Sequence, residues 1–217
     1  MAIPVPCPVA GDLHRGRRAA VSVVWLAIAL GGCSFNLGSL SPGSESEAPK
    51  PAPAVTSISE SQTHATRGQA LARSGKAEDA LSEFDQAIAL DPNNAQALYG
   101  RGLLLQGKKQ HQLAIDDFTA ANGLTPQRAE PLLGRASSYL AMDKAREAAA
   151  DLDEAAQADP QNAQIWMTRG LAYERLGDRA KAAESYGRAI SLRPKDESAR
   201  SGFARVGGKP GQITDTF

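Results

Sequence analysis

The stretch AQALYGRGLLLQGKKQHQLAIDDFTAANGLTP, residues 95–126, recurs in altered form along the chain. Its last residue belongs to the series Pro92, Pro126, Pro160 and Pro194, each 34 residues from the next. An arginine followed by a small residue keeps the same register: Arg67-Gly68, Arg101-Gly102, Arg135-Ala136 and Arg169-Gly170. An alanine follows (Ala80, Ala114, Ala148, Ala182), then a large apolar residue (Phe84, Phe118, Leu152, Tyr186), then another alanine (Ala87, Ala121, Ala155, Ala189). Numbered from Ser61, Ala95, Ala129 and Ala163, these are positions 7–8, 20, 24 and 27, with the proline at 32. Positions 4, 8 and 11 share one helical face. The spacing predicts a first helix over roughly positions 1–14 and a second over roughly 17–31. A small residue at position 8 and an alanine at position 20 let the two helices approach, and the bulky residue at 24 fills the space between them.

The turns are also legible. Proline at position 32 cannot continue a helix. Asn94, Asn162 and Asp196 stand where the next helix should begin, and their short polar side chains suit an N-cap. Arg128 takes that place before the third repeat, and Pro131 is expected to help begin its helix. Gly75 and Gly177 mark turns inside the first and last repeats. In the second, Gly107 comes two places early and is followed by Lys108 and Lys109, so that turn is expected to differ in shape.

A 34-residue period with these small and large positions, over about 61–194, resembles the tetratricopeptide repeat family. The resemblance implies an all-α fold, a right-handed solenoid of four helix-turn-helix repeats at 61–94, 95–128, 129–162 and 163–196. Residues 197–206 are expected to form a capping helix, with Ala199, Phe203 and Val206 against the last repeat and Glu197, Arg200 and Arg205 outward. The tail 207–217 is expected to be flexible.

The first sixty residues have another character. Arg15, Arg17 and Arg18 precede an apolar run, AAVSVVWLAIAL at 19–30, and then Gly31, Gly32 and Cys33. A basic lead, a short apolar core and small residues make the layout of a secretory signal. The run is shorter than the roughly 20 residues that a membrane span needs. Leu30-Gly31-Gly32-Cys33 resembles the lipobox of bacterial lipoproteins, which implies a signal over 1–32 and lipid attachment at Cys33. An ordinary secretory signal that contains a cysteine is the alternative. Ser34 after the cysteine, in place of aspartate, resembles the outer-membrane-directed form. Residues 33–60, rich in Ser, Pro, Ala, Gly and Glu, read as a disordered tether between bilayer and repeats.

Composition narrows the function. Lys and Arg number 24 and Asp and Glu 24, so no general attraction to nucleic acid is expected. Aromatics are 5% of the chain, too sparse for a base-stacking platform. The two cysteines, Cys7 and Cys33, both precede the repeats, so the repeats have no disulfide, cysteine zinc site or cysteine nucleophile. His64 and His111 lack evident convergent partners for a metal. Asp116-Asp117 and Asp151, Asp153 and Glu154 read as a solvated outer face. No phosphate loop or nucleophile elbow is present. We therefore expect no catalytic residues, no metal, no cofactor and no enzyme. The position-7 arginines admit two readings: a cation ladder for an acidic ligand, or stems packed between helices with their heads paired to acids at position 23 (Glu83, Asp117, Asp151). The second is preferred, because many tetratricopeptide repeats carry the same pair.

The resemblance also implies that positions 2, 5, 9 and 12 of the first helices line a concave groove. There the sequence offers an apolar strip of Tyr99, Leu103, Leu133, Met167 and Leu171, with Gln69 and Glu174 among its polar positions. Such a strip suits a peptide or protein segment; the alternative is that several of these side chains pack on the neighbouring repeat. Relatives that clamp a terminal carboxylate carry Lys and Asn at positions 5 and 9, which are absent here. The expectation is a lipid-anchored envelope scaffold for protein–protein interaction. Resemblance leaves open a pilotin-like assembly factor for a pilus or secretion system and an adaptor for cell-wall hydrolases. Peptidoglycan binding would need more polar and aromatic groove positions. Self-association is a further class.

Overall fold

The computed structural model describes residues 53–208, all within one compact unit, Ala48–Phe217. The signal segment 1–32, Cys33, most of the tether and the tail from 209 onward lie outside the described residues. Among the described residues there are nine helices and no strand: α1 (Pro53–Arg73), α2 (Ala77–Leu90), α3 (Ala95–Gly107), α4 (His111–Leu124), α5 (Ala129–Ala141), α6 (Ala145–Ala158), α7 (Ala163–Leu176), α8 (Arg179–Leu192) and α9 (Glu197–Arg205). Each packs on the next, and the first helices also touch along the row α1, α3, α5, α7, α9.

Volume at position 24 sets the spacing of this stack. Phe84, Phe118, Leu152 and Tyr186 are all fully buried. Phe84 lies where a Cβ on Gly68 would stand, 2.7 Å from its ring, and where one on Gly100 of the next repeat would stand, 2.4 Å away. Phe118 is likewise held between Gly102 and Gly134, and Tyr186 between Gly170 and Gly202. Each ring is thus sandwiched by glycine at position 8 of its own unit and position 6 of the next. The third repeat balances the same volume differently: the smaller Leu152 accompanies Ala136 and Thr168, as dense packing requires. The alanines at positions 20 and 27 have no exposed surface.

Asn94, Asn162 and Asp196 cap their helices, accepting from the backbone N–H of Ala97 at 3.0 Å, Gln164 at 3.1 Å and Ser198 at 2.9 Å. Asp178 caps α8 in the same way. Arg128 makes no side-chain cap; it pairs with Glu130 instead, and Pro131 sits in the first turn of α5, where a missing N–H leaves no bond unmade.

Three expectations change. First, α1 begins at Pro53, so residues 53–60, read as tether, are helical. Proline fits a helix start, and the helix is held from within the repeat: the buried Ser61 hydroxyl donates to the Ala87 carbonyl at 2.7 Å and accepts from Asn94 Nδ2 at 2.8 Å. Second, the Lys108-Lys109 turn has the common shape. Position 15 is left-handed in all four repeats, with φ of 79° at Gly75, 61° at Lys109, 58° at Asp143 and 80° at Gly177. The same backbone bond closes each, as from Gln110 N–H to the Leu105 carbonyl. Third, Asp117 and Asp151 are buried, not solvated. They accept paired hydrogen bonds from Arg101 and Arg135 at 2.7–2.8 Å; burial of a carboxylate is tolerated when a guanidinium pairs with it.

Candidate partner-binding face

The position-7 arginines are structural in the second to fourth repeats. Each reaches position 23 of its own unit and position 25 of the preceding one. Arg101 donates to Asp117 and to Asp85, the latter at 2.8 Å. Arg135 donates to Asp151 and Thr119. Arg169 donates to Ser185 and Asp153. Their heads are therefore committed between repeats. Arg67 is exposed, and Glu83 is engaged instead by His64 Nδ1 at 2.7 Å. Among the described residues, no group of three His, Cys, Asp or Glu side chains could hold a metal.

The expected groove residues fall into two hollows joined by a middle stretch. Gln69 and Tyr99 line the first, with Gln96, Thr125, Arg128 and Glu130. Burial, chiefly, and then the Glu130 charge raise the Tyr99 hydroxyl above its usual pKa, while Arg128 lowers it. The Tyr99 ring leans on Phe118, 5.8 Å between centroids, so the core ring held by Gly102 and Gly134 fixes its direction. Hydrogen bonding from Arg128, against a smaller effect of burial, lowers the pKa of Glu130.

Leu103 and Leu133 lie between. Leu103 is 42% exposed; Leu133 is half-buried and packs against the core of α5–α9. Met167 and Leu171 line the second hollow with Ser198, Ser201 and Arg205 of α9, and they also touch that core. Packing and exposure thus coexist in these three side chains. Glu174 is fastened rather than free: it accepts from Arg205 at 2.8 and 3.0 Å and from the Tyr186 hydroxyl at 2.6 Å. Arg205, opposed by burial and joined by Tyr186, lowers the Glu174 pKa. Gln106, at the same position 12, reaches forward to the Gly134 carbonyl and Ser138. Position 12 is a stitch to the next unit in both cases.

Ser198, Ser201 and Arg205 were not anticipated as part of this face. They stand at positions 2, 5 and 9 of a fifth first helix numbered from Glu197, one period after Ala163, so the 34-residue count itself carried the signal.

Family models for the TPR repeat match residues 68–109 and for the tetratricopeptide repeat match 133–197. The fold is a tetratricopeptide-repeat solenoid. Among solved structures this solenoid is similar to a MamA protein (22% identity over 68% of this chain and 80% of that one, TM-score 0.63). It is also similar to TTC0263, a thermophilic TPR protein of Thermus thermophilus (24% identity, 67% and 80% covered, TM-score 0.57). A third is the first TPR of Spaghetti (RPAP3) bound to the HSP90 peptide SRMEEVD (23% identity, 54% and 92% covered, TM-score 0.52). No curated protein sequence matches.

Proposed function

We propose that this chain is a protein–protein interaction scaffold that holds a partner segment along the row of its first helices. One observation carries the reading: Tyr99, Leu103, Met167 and Leu171 are apolar yet remain accessible on one face of a packed solenoid. A monomer gains nothing from exposing such a row, and a partner segment can cover it. The solved TPR of Spaghetti holds an HSP90 peptide, which supports peptide binding as a use of this architecture. In this chain the row is apolar with amide and hydroxyl edges.

The amino-terminal layout supports a second part of the proposal, attachment to the cell envelope through a lipid on Cys33, with the solenoid facing the periplasm. No helix of the described residues is long and apolar enough to cross a membrane. Several acyl chains on one residue anchor firmly, at about 0.8 kcal/mol per buried methylene. The test of the groove is in-envelope crosslinking followed by recovery of the chain. Tyr99→Glu combined with Met167→Glu abolishes recovery of the partner while helix content by circular dichroism is kept; undiminished recovery refutes the groove. Cys33→Ser separately loses acyl labelling and moves the chain to the soluble fraction, and unchanged membrane fractionation refutes the anchor.

A further inference from the structure

Behind the groove, the opposite side of α3 carries a pit where the third and fourth repeats place a tyrosine. Leu105 is two residues beyond Leu103, about 200° around the helix, and stands at position 11. In the fourth repeat position 11 is Tyr173, and the Lys181 ammonium from position 19 of α8 lies 4.8 Å from its ring centroid. In the third it is Tyr139, with the Lys144 ammonium 6.0 Å away. In the second, position 11 is Leu105 and position 19 is Leu113. The floor there is Leu81, Leu105 and Leu113, and Leu113 is 53% exposed.

The rim is acidic. Asp85, Asp116 and Asp117 border the pit with one cation, Arg101. Arg101 is shared between Asp85 and Asp117, and Asp116 accepts from the neutral amide of Gln112. Three carboxylates against one guanidinium leave two negative charges around an apolar floor. A lysine or arginine stem matches both features, because it lays methylenes on apolar surface and carries its charge outward.

We propose that this pit is a second docking site, independent of the groove, for a partner segment that presents a lysine or arginine beside leucine-like residues. The incoming cation takes the place that Lys181, at position 19, occupies in the fourth repeat. Its stem covers Leu105 and Leu113, and its head faces Asp85 and Asp116.

The test uses the full chain and two labelled, end-blocked octapeptides, one alternating lysine and leucine and one alternating glutamate and leucine, read by fluorescence anisotropy. The lysine peptide binds saturably, and the glutamate peptide at least tenfold more weakly. Leu113→Lys, which fills the pit from within, weakens the lysine peptide at least tenfold. Ala120→Lys, an exposed position on α4, adds the same charge outside the pit and weakens it far less. Asp116→Asn, at an exposed residue, weakens it severalfold and serves if Leu113→Lys fails to fold. Tyr99→Gln changes nothing, which separates this site from the groove. The proposal falls if the two peptides bind alike, if Leu113→Lys costs no more than Ala120→Lys, or if Asp116→Asn has no effect. It falls equally if Leu113→Lys abolishes self-association of the chain, which would assign the pit to a second copy.

Discussion

Lys109 and Asp143 hold left-handed backbone at φ of 61° and 58°, where the first and fourth repeats use glycine. A side chain at such a φ crowds the following carbonyl, and a lysine has no short polar group to offset it locally. Lys109→Gly is therefore expected to stabilise the chain by about 0.5–1 kcal/mol, the left-handed strain exceeding the entropy that glycine adds to the unfolded chain. Asp143→Gly gains less, because aspartate tolerates this region. Thermal denaturation checks both, with a rise of about 2–4 °C expected for each kcal/mol; a fall for Lys109→Gly would show that the side chain contributes elsewhere. Packing at position 24 gives a second residue-scale prediction. Gly100→Ala sets a methyl 2.4 Å from the Phe84 ring, and overpacking of this kind costs about 1–3 kcal/mol. Adding Phe84→Leu recovers part of that loss, because Leu152 already coexists with Ala136 and Thr168. Urea denaturation of the single and double variants measures the recovery. The sequence displayed the position-8 glycines clearly. It also held Gly100, Gly134 and Gly202 at the same period, but Thr168 interrupts that series. The exception makes sense only once Leu152, Ala136 and Thr168 are taken as one volume.

Helix boundaries followed from proline at position 32 and the Asx caps, since these are local effects. What joins one element to the next was less legible, because it depends on which acid an arginine can reach in space. Counting along one unit pairs Arg101 with Asp117; it does not show the second bond to Asp85 sixteen residues upstream. Nor does it show that Asp153 of the preceding unit supplies the carboxylate for Arg169, where Ser185 stands at position 23. The helical start at Pro53 was hidden for a related reason: its sequence is polar and weakly periodic, and its place depends on Ser61 bonding across to Ala87 and Asn94. The junction of α7 and α9 yields a pH prediction. Arg205 depresses the Glu174 pKa below the usual glutamate value. A depressed carboxyl contributes its stability in full above the unfolded pKa, about 4.3, and loses it as pH falls through the folded one. Wild type should thus melt a few degrees above Glu174→Gln at neutral pH, and the gap should close below about pH 4. Thermal melts across pH 3–7 decide this; a gap that persists in acid would mean that the Tyr186 hydroxyl, not the charge, fastens the cap.

At the scale of the molecule, a repeat stack has two ends, and each must end without leaving apolar surface bare. At the carboxyl end α9 repeats the first-helix register: Gly202 receives the Tyr186 ring, Ala199 and Phe203 are buried, and Arg205 closes over Glu174. The period made this end readable, and the same count brings Ser198 and Ser201 onto the groove face, so the cap both protects the core and lengthens the candidate site. Partner identity has no such signal, because it resides in exposed side chains that the period does not constrain. A chain ending at Lys195 tests the dual role of α9. It uncovers Tyr186 and Ile190, both buried in the intact solenoid, and removes the second hollow's polar wall. The truncated chain should melt at lower temperature than the full chain and show concentration-dependent mass by light scattering beyond any the full chain shows, because a bared aromatic and isoleucine seek cover. It should also lose captured partner, although Tyr99 and Leu103 are untouched. A truncated chain that keeps the melting temperature and mass of the full chain would show that α9 is not a cap. Retained capture at full strength would confine the partner to the Gln69 and Tyr99 end of the groove.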